Sequence, residues 1–278
     1  MTGLTAEQCD RLEAWGVTVL GSVDDHPCAW WAMRGDEHLV LKAGESAARV
    51  REAAALRAFA SGAAGVREFD VRLGLLVTER LLPGDDIRPL ARVDDDEATR
   101  LVATVAVRLR DQQGPVADLP PLADIGASFD DPSDARLSAR LRDRARAVYR
   151  ELIETSVEAV VLHGDLHHMN VLRDGGGWRA IDPHGWVGDP AFEAAALLAN
   201  PRGLVEGGDA RGMDGRQLAR RCERRAEVYA ETAGLDRERL RAWAFVGCVI
   251  AELWMLESHD LVHGAPTAVA EALLAEGL

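Results

Sequence analysis

His163-Gly164-Asp165-Leu166-His167-His168-Met169-Asn170, followed twelve residues after its Asn by Ile181-Asp182-Pro183-His184-Gly185, is the stretch of this 278-residue chain that decides the fold. Short apolar runs with polar ends surround it: Val160-Val161-Leu162, Asn170-Val171-Leu172 and Trp178-Arg179-Ala180-Ile181. These read as short strands that bring two carboxylates and one amide into neighbouring loops. Asp165 is a carboxylate of the kind that can take a proton, and the Asn170 amide oxygen and Asp182 are hard oxygen donors. The three histidines raise the question of zinc, but H-E-x-x-H and a further cluster at ligand spacing are missing from the sequence. His163 reads as structural, holding the loop by hydrogen bonds. His167, two residues after Asp165, reads as a donor at the reacting group.

Working outward, Lys42 is the only lysine beside 31 arginines. An ammonium is a compact point charge and a guanidinium a wide flat fork, so a narrow site for two phosphates favours lysine. Lys42 closes the strand-like run His38-Leu39-Val40-Leu41-Lys42, where a kinase keeps its phosphate-pairing lysine. Ser46 can cap a helix to about Phe59, with Glu52, Leu56 and Phe59 along one inward stripe, which makes Glu52 the expected partner of Lys42. Asp165 and Asn170 match the D-x-x-x-x-N catalytic loop of kinases, and Asp182 stands where the metal-binding Asp of D-F-G would sit. The ordered set Lys42, Glu52, Asp165, Asn170, Asp182 is far more specific than any member. Phosphoryl transfer needs such a set, because charge spreads over oxygens that metal ions and fixed cations must neutralise.

The remaining pattern divides the chain. Thr5-Ala6-Glu7-Gln8 is a capping box opening a helix to Trp15. Strand-like runs follow at Val17–Leu20, Cys28–Met33, His38–Lys42, Val66–Asp70 and Leu73–Glu79. Beyond Pro83-Gly84 helical patterns dominate: Asp94–Gln112, Pro132–Thr155, then roughly Pro190–Ala199, Gly215–Ala233, Arg237–Ser258 and Thr267–Ala275. The expected fold is α+β and bilobal, protein-kinase-like: a small lobe with an antiparallel sheet plus one helix, and a large, mostly helical lobe. The expected division is 1–82 for the nucleotide-binding lobe and 83–278 for the catalytic and substrate-binding lobe.

The 32 basic and 46 acidic side chains give a net charge of 32 − 46 = −14. That argues against a nucleic-acid partner and suits a cationic small molecule. Four scattered cysteines indicate neither zinc nor a disulfide framework. The N-terminus lacks a signal-peptide pattern, and the most apolar stretch, Phe245–Leu256, is short for a bilayer and contains Glu252. A cytoplasmic, monomeric protein with no membrane partner is expected.

The segment His163–Pro201 resembles the aminoglycoside/hydroxyurea antibiotic resistance kinases, and streptomycin 6-phosphotransferases in particular. The carrying residues are His163 to Asn170, Trp178-Arg179-Ala180-Ile181-Asp182-Pro183 and Val187-Gly188-Asp189-Pro190-Ala191-Phe192, with support from Thr78 to Gly84 and from Asp94 to Ala98. The resemblance implies Asp165 as catalytic base with His167 beside it, and Asn170 and Asp182 as Mg²⁺ ligands. It implies Lys42 and Glu52 at the phosphates of ATP, and the backbone from Glu79 through Leu81 to Leu82 as the adenine-binding hinge. It also implies that Asp189 caps the helix at Pro190 and borders the acceptor pocket, with Glu252, Trp254, Glu257 and Asp260 as acceptor candidates. The implied activity is transfer of the γ-phosphate of ATP to a hydroxyl of a cationic, streptomycin-like antibiotic. Hydroxyurea, another antibiotic or a cellular small molecule is the alternative acceptor, and a silent nucleotide-binding pseudokinase the alternative class. Two departures stand out. The loop Gly21-Ser22-Val23-Asp24-Asp25-His26 has one glycine and two carboxylates where phosphates would be covered. Asp182-Pro183-His184-Gly185 lacks the switching Phe and leaves little room for an activation loop, which predicts constitutive activity.

Overall fold

A computed structural model describes residues 3–24, 26–114, 119–130, 136–199, 215–260, 264–275 and 277–278. The capping box at Thr5 forms as the sequence predicts. Thr5 Oγ1 accepts the Gln8 N–H at 3.2 Å, Gln8 Oε1 accepts the Thr5 N–H at 2.9 Å, and α1 (Ala6–Ala14) follows.

The strands of the small lobe are β1 (Thr18–Val23), β2 (His26–Arg34), β3 (Glu37–Ala43), β4 (Val66–Asp70) and β5 (Leu75–Glu79). They pair antiparallel in the order β1-β2-β3-β5-β4, with α2 (Ser46–Ala58) joining β3 to β4. Alternation along β3 explains the layering. Leu39, Leu41 and Ala43 are buried with Trp30, Leu75, Val77 and Leu12 of α1 in one apolar cluster. Val40 and Lys42 therefore point to the opposite face, towards α2 and the cleft. The α2 stripe is buried as expected, with Glu52, Leu56 and Phe59 all inward.

The chain enters the large lobe through β6 (Pro83–Asp86) and the short α3 (Arg88–Ala91), elements that the sequence reading missed. Pro83-Gly84 looks like a breaker, yet a proline is tolerated as the first residue of an edge strand. β6 meets β8 (Val171–Asp174) only at Pro83–Asp174 and Asp86–Leu172, with an irregular register between. After α4 (Asp95–Asp111) comes a 3₁₀ segment, Leu122–Phe129, then α5 (Ala139–Glu154). The expected start of α5 at Pro132 lies outside the described residues, as do the expected breaker Pro115 and the end of the family-like segment at Pro201. β7 (Val160–Leu162) pairs with β10 (Trp186–Gly188), and β8 pairs with β9 (Gly177–Ala180).

The expected helix at 190–199 divides into a 3₁₀ turn, Pro190–Ala194, and α6 (Ala195–Ala199), and α7 (Gly215–Ala233), α8 (Arg237–His259) and α9 (Ala265–Ala275) complete the chain. α8 is central, with Trp243, Phe245 and Val249 fully buried among α5, α6, α7 and α9. No helix among the described residues is long and apolar enough to cross a membrane. The architecture is the kinase-like pairing of a sheet lobe with a helical lobe.

The two lobes are tied across the cleft by backbone. The Ala64 N–H donates to the Ala180 carbonyl at 2.9 Å, and the Ala180 N–H donates to the Gly62 carbonyl at 3.0 Å. Phe59, at the end of α2, stacks on the His163 ring with 6.4 Å between centroids.

Candidate active site

Between the lobes lies a cavity of about 270 Å³. Val23, Ala29 and Val40 form its roof, Leu172 and Ile181 its floor, and Thr78 to Leu81 its back wall. Lys42, Glu52 and Asp182 close its polar end. Trp31 lines the back, with the Arg80 guanidinium stacked over its ring at 3.9 Å from the centroid. A slot with apolar walls and one charged end suits a flat aromatic base joined to an anion.

The Lys42 ammonium donates to Glu52 Oε1 at 2.6 Å and to Asp182 Oδ1 at 2.7 Å. Burial works to lower its pKa, but Glu52 and Asp182 outweigh it and hold the ammonium above its ordinary range. Burial likewise would raise the Asp182 carboxyl, yet Lys42, helped by Arg49, takes it down to about 2. Asp182 is also one of the few non-glycine residues in the left-handed region, at φ 61°. That conformation costs on the order of 1 kcal/mol or more and persists only where neighbours fix it. Here Ile181 fixes it: its N–H donates to the Asn170 carbonyl at 2.9 Å and its carbonyl accepts from His163 Nε2 at 2.7 Å.

Because Nε2 of His163 carries the proton given to Ile181, Nδ1 is an acceptor, and the Asp165 N–H donates to it at 3.3 Å. Full burial pushes His163 down to about 3, so the ring stays neutral. It thus clamps the Asp165 loop to the Asp182 loop. Gly164 sits at φ 78°, and a Cβ there would come 2.6 Å from Cδ1 of Trp186. Only glycine fits so close to the indole.

The Asp165 carboxylate is oriented by Asn170, whose Nδ2 donates to Asp165 Oδ2 at 3.1 Å and to the Asp165 carbonyl at 2.9 Å. Those bonds turn the Asn170 amide oxygen away from Asp165, as a metal-facing ligand requires. His167 Nδ1 accepts the Met169 N–H at 3.2 Å, leaving Nε2 to carry the proton, 3.6 Å from Asp165 Oδ2. The amide oxygen of Asn170 and the carboxylate of Asp182 are hard donors of the type Mg²⁺ takes.

Several expected acceptor contacts prove to be engaged within the protein. Asp189 caps its helix through the Ala191 N–H at 2.9 Å, and it is also gripped by Arg239 at 2.5 Å and Trp243 Nε1 at 2.6 Å. Its carboxylate is buried and does not open on the cleft. Glu252 is likewise fully buried, accepting the Gly264 N–H at the start of α9. Both anions are needed to satisfy the protein's own donors. Glu257 is exposed, and Asp260 pairs with Arg136 at 2.7 Å. The side chain of His259 lies outside the described residues, as does Asp25 of the acidic loop, while Asp24 is exposed.

Three further groups carried no sequence signal. Glu193, buried, accepts the N–H groups of His163 at 2.7 Å and Gly164 at 3.1 Å, bracing the loop from below. Burial raises its carboxyl to about 7. Arg49 ion-pairs with Glu52 Oε2, on the oxygen not used by Lys42. His184, which does not line the cavity, has its Nε2 3.9 Å from Asp165 Oδ2. The His184 ring meets the Trp254 ring edge-on at 6.2 Å, and Trp254 Nε1 donates to Ser128 Oγ at 2.8 Å. These contacts join a tail helix, a 3₁₀ turn and the Asp182 loop, which lie far apart in sequence.

Known proteins resemble this chain in sequence and in fold. The family model described as aminoglycoside/hydroxyurea antibiotic resistance kinase matches residues 40–258. A streptomycin 3''-kinase from Klebsiella pneumoniae is 34% identical over 200 residues, covering 70% of this chain and 71% of that protein. A hydroxyurea phosphotransferase from Kitasatospora aureofaciens is 31% identical over 297 residues, covering 98% and 79%. Among solved structures, a thermostable mutant of the aminoglycoside phosphotransferase APH(4)-Ia, in a ternary complex with ADP and hygromycin B, superposes with a TM-score of 0.69. It is 19% identical and covers 99% of this chain and 100% of that one. A family match across the lysine strand, the Asp165 loop and α8, together with relatives above 30% identity, establishes that the chain belongs to the aminoglycoside/hydroxyurea antibiotic resistance kinases and is a phosphotransferase.

Proposed function

We propose that the cleft binds ATP and that the chain transfers the γ-phosphate to a hydroxyl of an aminoglycoside-type antibiotic, with streptomycin the first acceptor to test. The observation that carries this reading is the placement of Lys42 Nζ between Glu52 and Asp182 at the polar end of the base-shaped cavity. In this reading residues 1–82 hold the nucleotide, and residues 83–278 supply the metal ligands, the base and the acceptor site. The base enters between Val40 and Leu172, against the main chain from Glu79 to Leu82. Lys42 meets the phosphates. Mg²⁺, held by the Asn170 amide oxygen and Asp182, would neutralise charge on the β- and γ-phosphate oxygens.

Asp165, oriented by Asn170, takes the proton of the acceptor hydroxyl. A bond forms from that oxygen to the γ-phosphorus as the bond to the β,γ-bridging oxygen breaks, and ADP leaves. His167 Nε2–H is placed to donate to a phosphoryl oxygen. His184 and Trp254, beyond Asp165, form the acceptor wall, and an indole face can hold either a sugar ring or a cationic group.

The relatives' names divide between an aminoglycoside and hydroxyurea, so hydroxyurea is the second acceptor to test. The experiment is mass spectrometry of an antibiotic panel, hydroxyurea included, incubated with enzyme, ATP and Mg²⁺. A phosphate mass gain on streptomycin supports the reading, and a gain on hydroxyurea alone replaces the acceptor. Bound ATP with no gain on any compound would favour a silent nucleotide-binding protein.

A further inference from the structure

We propose that Arg49 is a second phosphate-binding cation, acting on the β,γ end of the nucleotide and taking over a duty that a glycine-rich loop performs in other kinases. This rests on the reading that the cleft binds ATP. The argument begins with charge. Lys42 is shared by two carboxylates, Glu52 and Asp182, so those three groups alone carry one positive charge against two negative. Before a metal ion arrives at Asp182, such a cluster repels a polyphosphate. The tip of the β1–β2 hairpin makes matters worse: it carries the exposed Asp24, and Gly21 is the only glycine in Gly21–His26.

Arg49 restores the balance. It lies one turn before Glu52 on α2 and occupies that carboxylate's second oxygen, so the two cations flank one anion. Its charge reaches Asp182 as well as Glu52. Its Nε is buried without a hydrogen-bond partner, while the side chain as a whole keeps 21% of its exposure. A planar fork with one arm on Glu52 and the side chain still partly exposed can turn its other arm to a second oxyanion, and phosphate is a good partner for a guanidinium. An i,i+3 ion pair on an open helix surface would contribute little. This pair instead stands on a Glu that is buried and already bound to the active-site lysine.

Two roles must be separated: direct contact with phosphate, and mere orientation of Glu52. Equilibrium binding of ATP, ADP and AMP to the full chain does so, using Arg49→Met, Arg49→Lys, Glu52→Gln and the Arg49→Met/Glu52→Gln double variant. Direct contact predicts that Arg49→Met weakens ATP by about tenfold or more, as expected for a lost charge-assisted bond. AMP binding, which lacks the phosphates concerned, should change less than about twofold, and Arg49→Lys should recover part of the loss because it keeps the charge. The loss should persist in the Glu52→Gln background, where orientation of that carboxylate no longer matters. An effect that vanishes in that background, or that weakens AMP as much as ATP, overturns the proposal. Thermal unfolding of each variant confirms that the fold survives, and if Arg49→Met unfolds, Arg49→Gln, which also removes the charge, carries the same comparison. Wild-type protein that binds no nucleotide would defeat the ATP reading itself, and this inference with it.

Discussion

Asp182 Oδ1 lies 2.7 Å from Lys42 Nζ although the two residues are 140 positions apart in sequence. The ammonium therefore stitches the sheet lobe to the Asp182 loop of the large lobe. A guanidinium at position 42 would need a wider space and would present a plane to two carboxylates that converge on a point. Lys42→Arg is therefore expected to be nearly as defective as Lys42→Ala, with kcat/KM down by about 100-fold or more, roughly 2.7 kcal/mol of transition-state stabilisation. Steady-state kinetics on the acceptor found by mass spectrometry is the check. Substantial rescue by arginine would remove the point-charge argument.

Asp165 is held by Asn170 and does not touch the base cavity. Asp165→Asn should thus leave ATP affinity within about twofold while turnover falls by about 10² to 10⁴, the usual contribution of a positioned general base. Binding and turnover need to be measured on the same preparation. Retained turnover would exclude Asp165 as the proton acceptor.

The lysine strand and the inward stripe of α2 were legible because each follows from a local period, whereas the Asp165–Asn170–Asp182 spacing was read from its match to a kinase motif. Alternation along β3 alone sends Lys42 to the cleft, and the α2 stripe alone turns Glu52 towards it. The fate of the acceptor carboxylates was not legible. Asp189 and Glu252 look like ligands for a cation in sequence, but their partners, Arg239, Trp243 and Gly264, come from turns and helix faces that only the folded chain brings together. β6 was hidden by its Pro-Gly, since an edge strand with two irregular contacts has no periodicity to read. The bracing role of Glu193 was hidden for another reason: its partners are backbone N–H groups, which look the same in every sequence.

Glu193 holds both N–H groups at the start of the catalytic loop, so its removal leaves two buried donors without a partner. Glu193→Gln supplies one acceptor oxygen and one amide nitrogen, which cannot accept the second bond. The expected cost is about 1–3 kcal/mol of stability, with kcat reduced and KM for ATP unchanged. Urea unfolding and kinetics at one pH test this together. A variant with wild-type kcat would show that the brace does not govern the position of Asp165.

Protonation of the buried histidines is expected to weaken the fold in acid. Burial takes His163 down to about 3 and His168 to about 2, so both remain neutral in the folded chain at pH values where the unfolded chain has charged them. Their contribution is complete above about pH 6.5 and is lost as pH falls, at about 1.4 kcal/mol per pH unit for each group. Glu193, raised to about 7 by burial, works in the opposite sense: between about 4.5 and 7 the folded chain binds its proton first, so stability from this group falls as pH rises. Two histidines against one carboxyl give a shallow net loss on acidification from pH 6.5 to 4.5, and a steeper one below, where Glu193 no longer compensates. His168→Gln keeps an acceptor for the neighbouring Arg225, 3.5 Å from Nε2, but cannot titrate. In chelator, with urea midpoints at pH 4.5, 5.5 and 6.5, this variant should be nearly flat where the wild type slopes. An unchanged slope would mean that His168 is not held neutral by its surroundings.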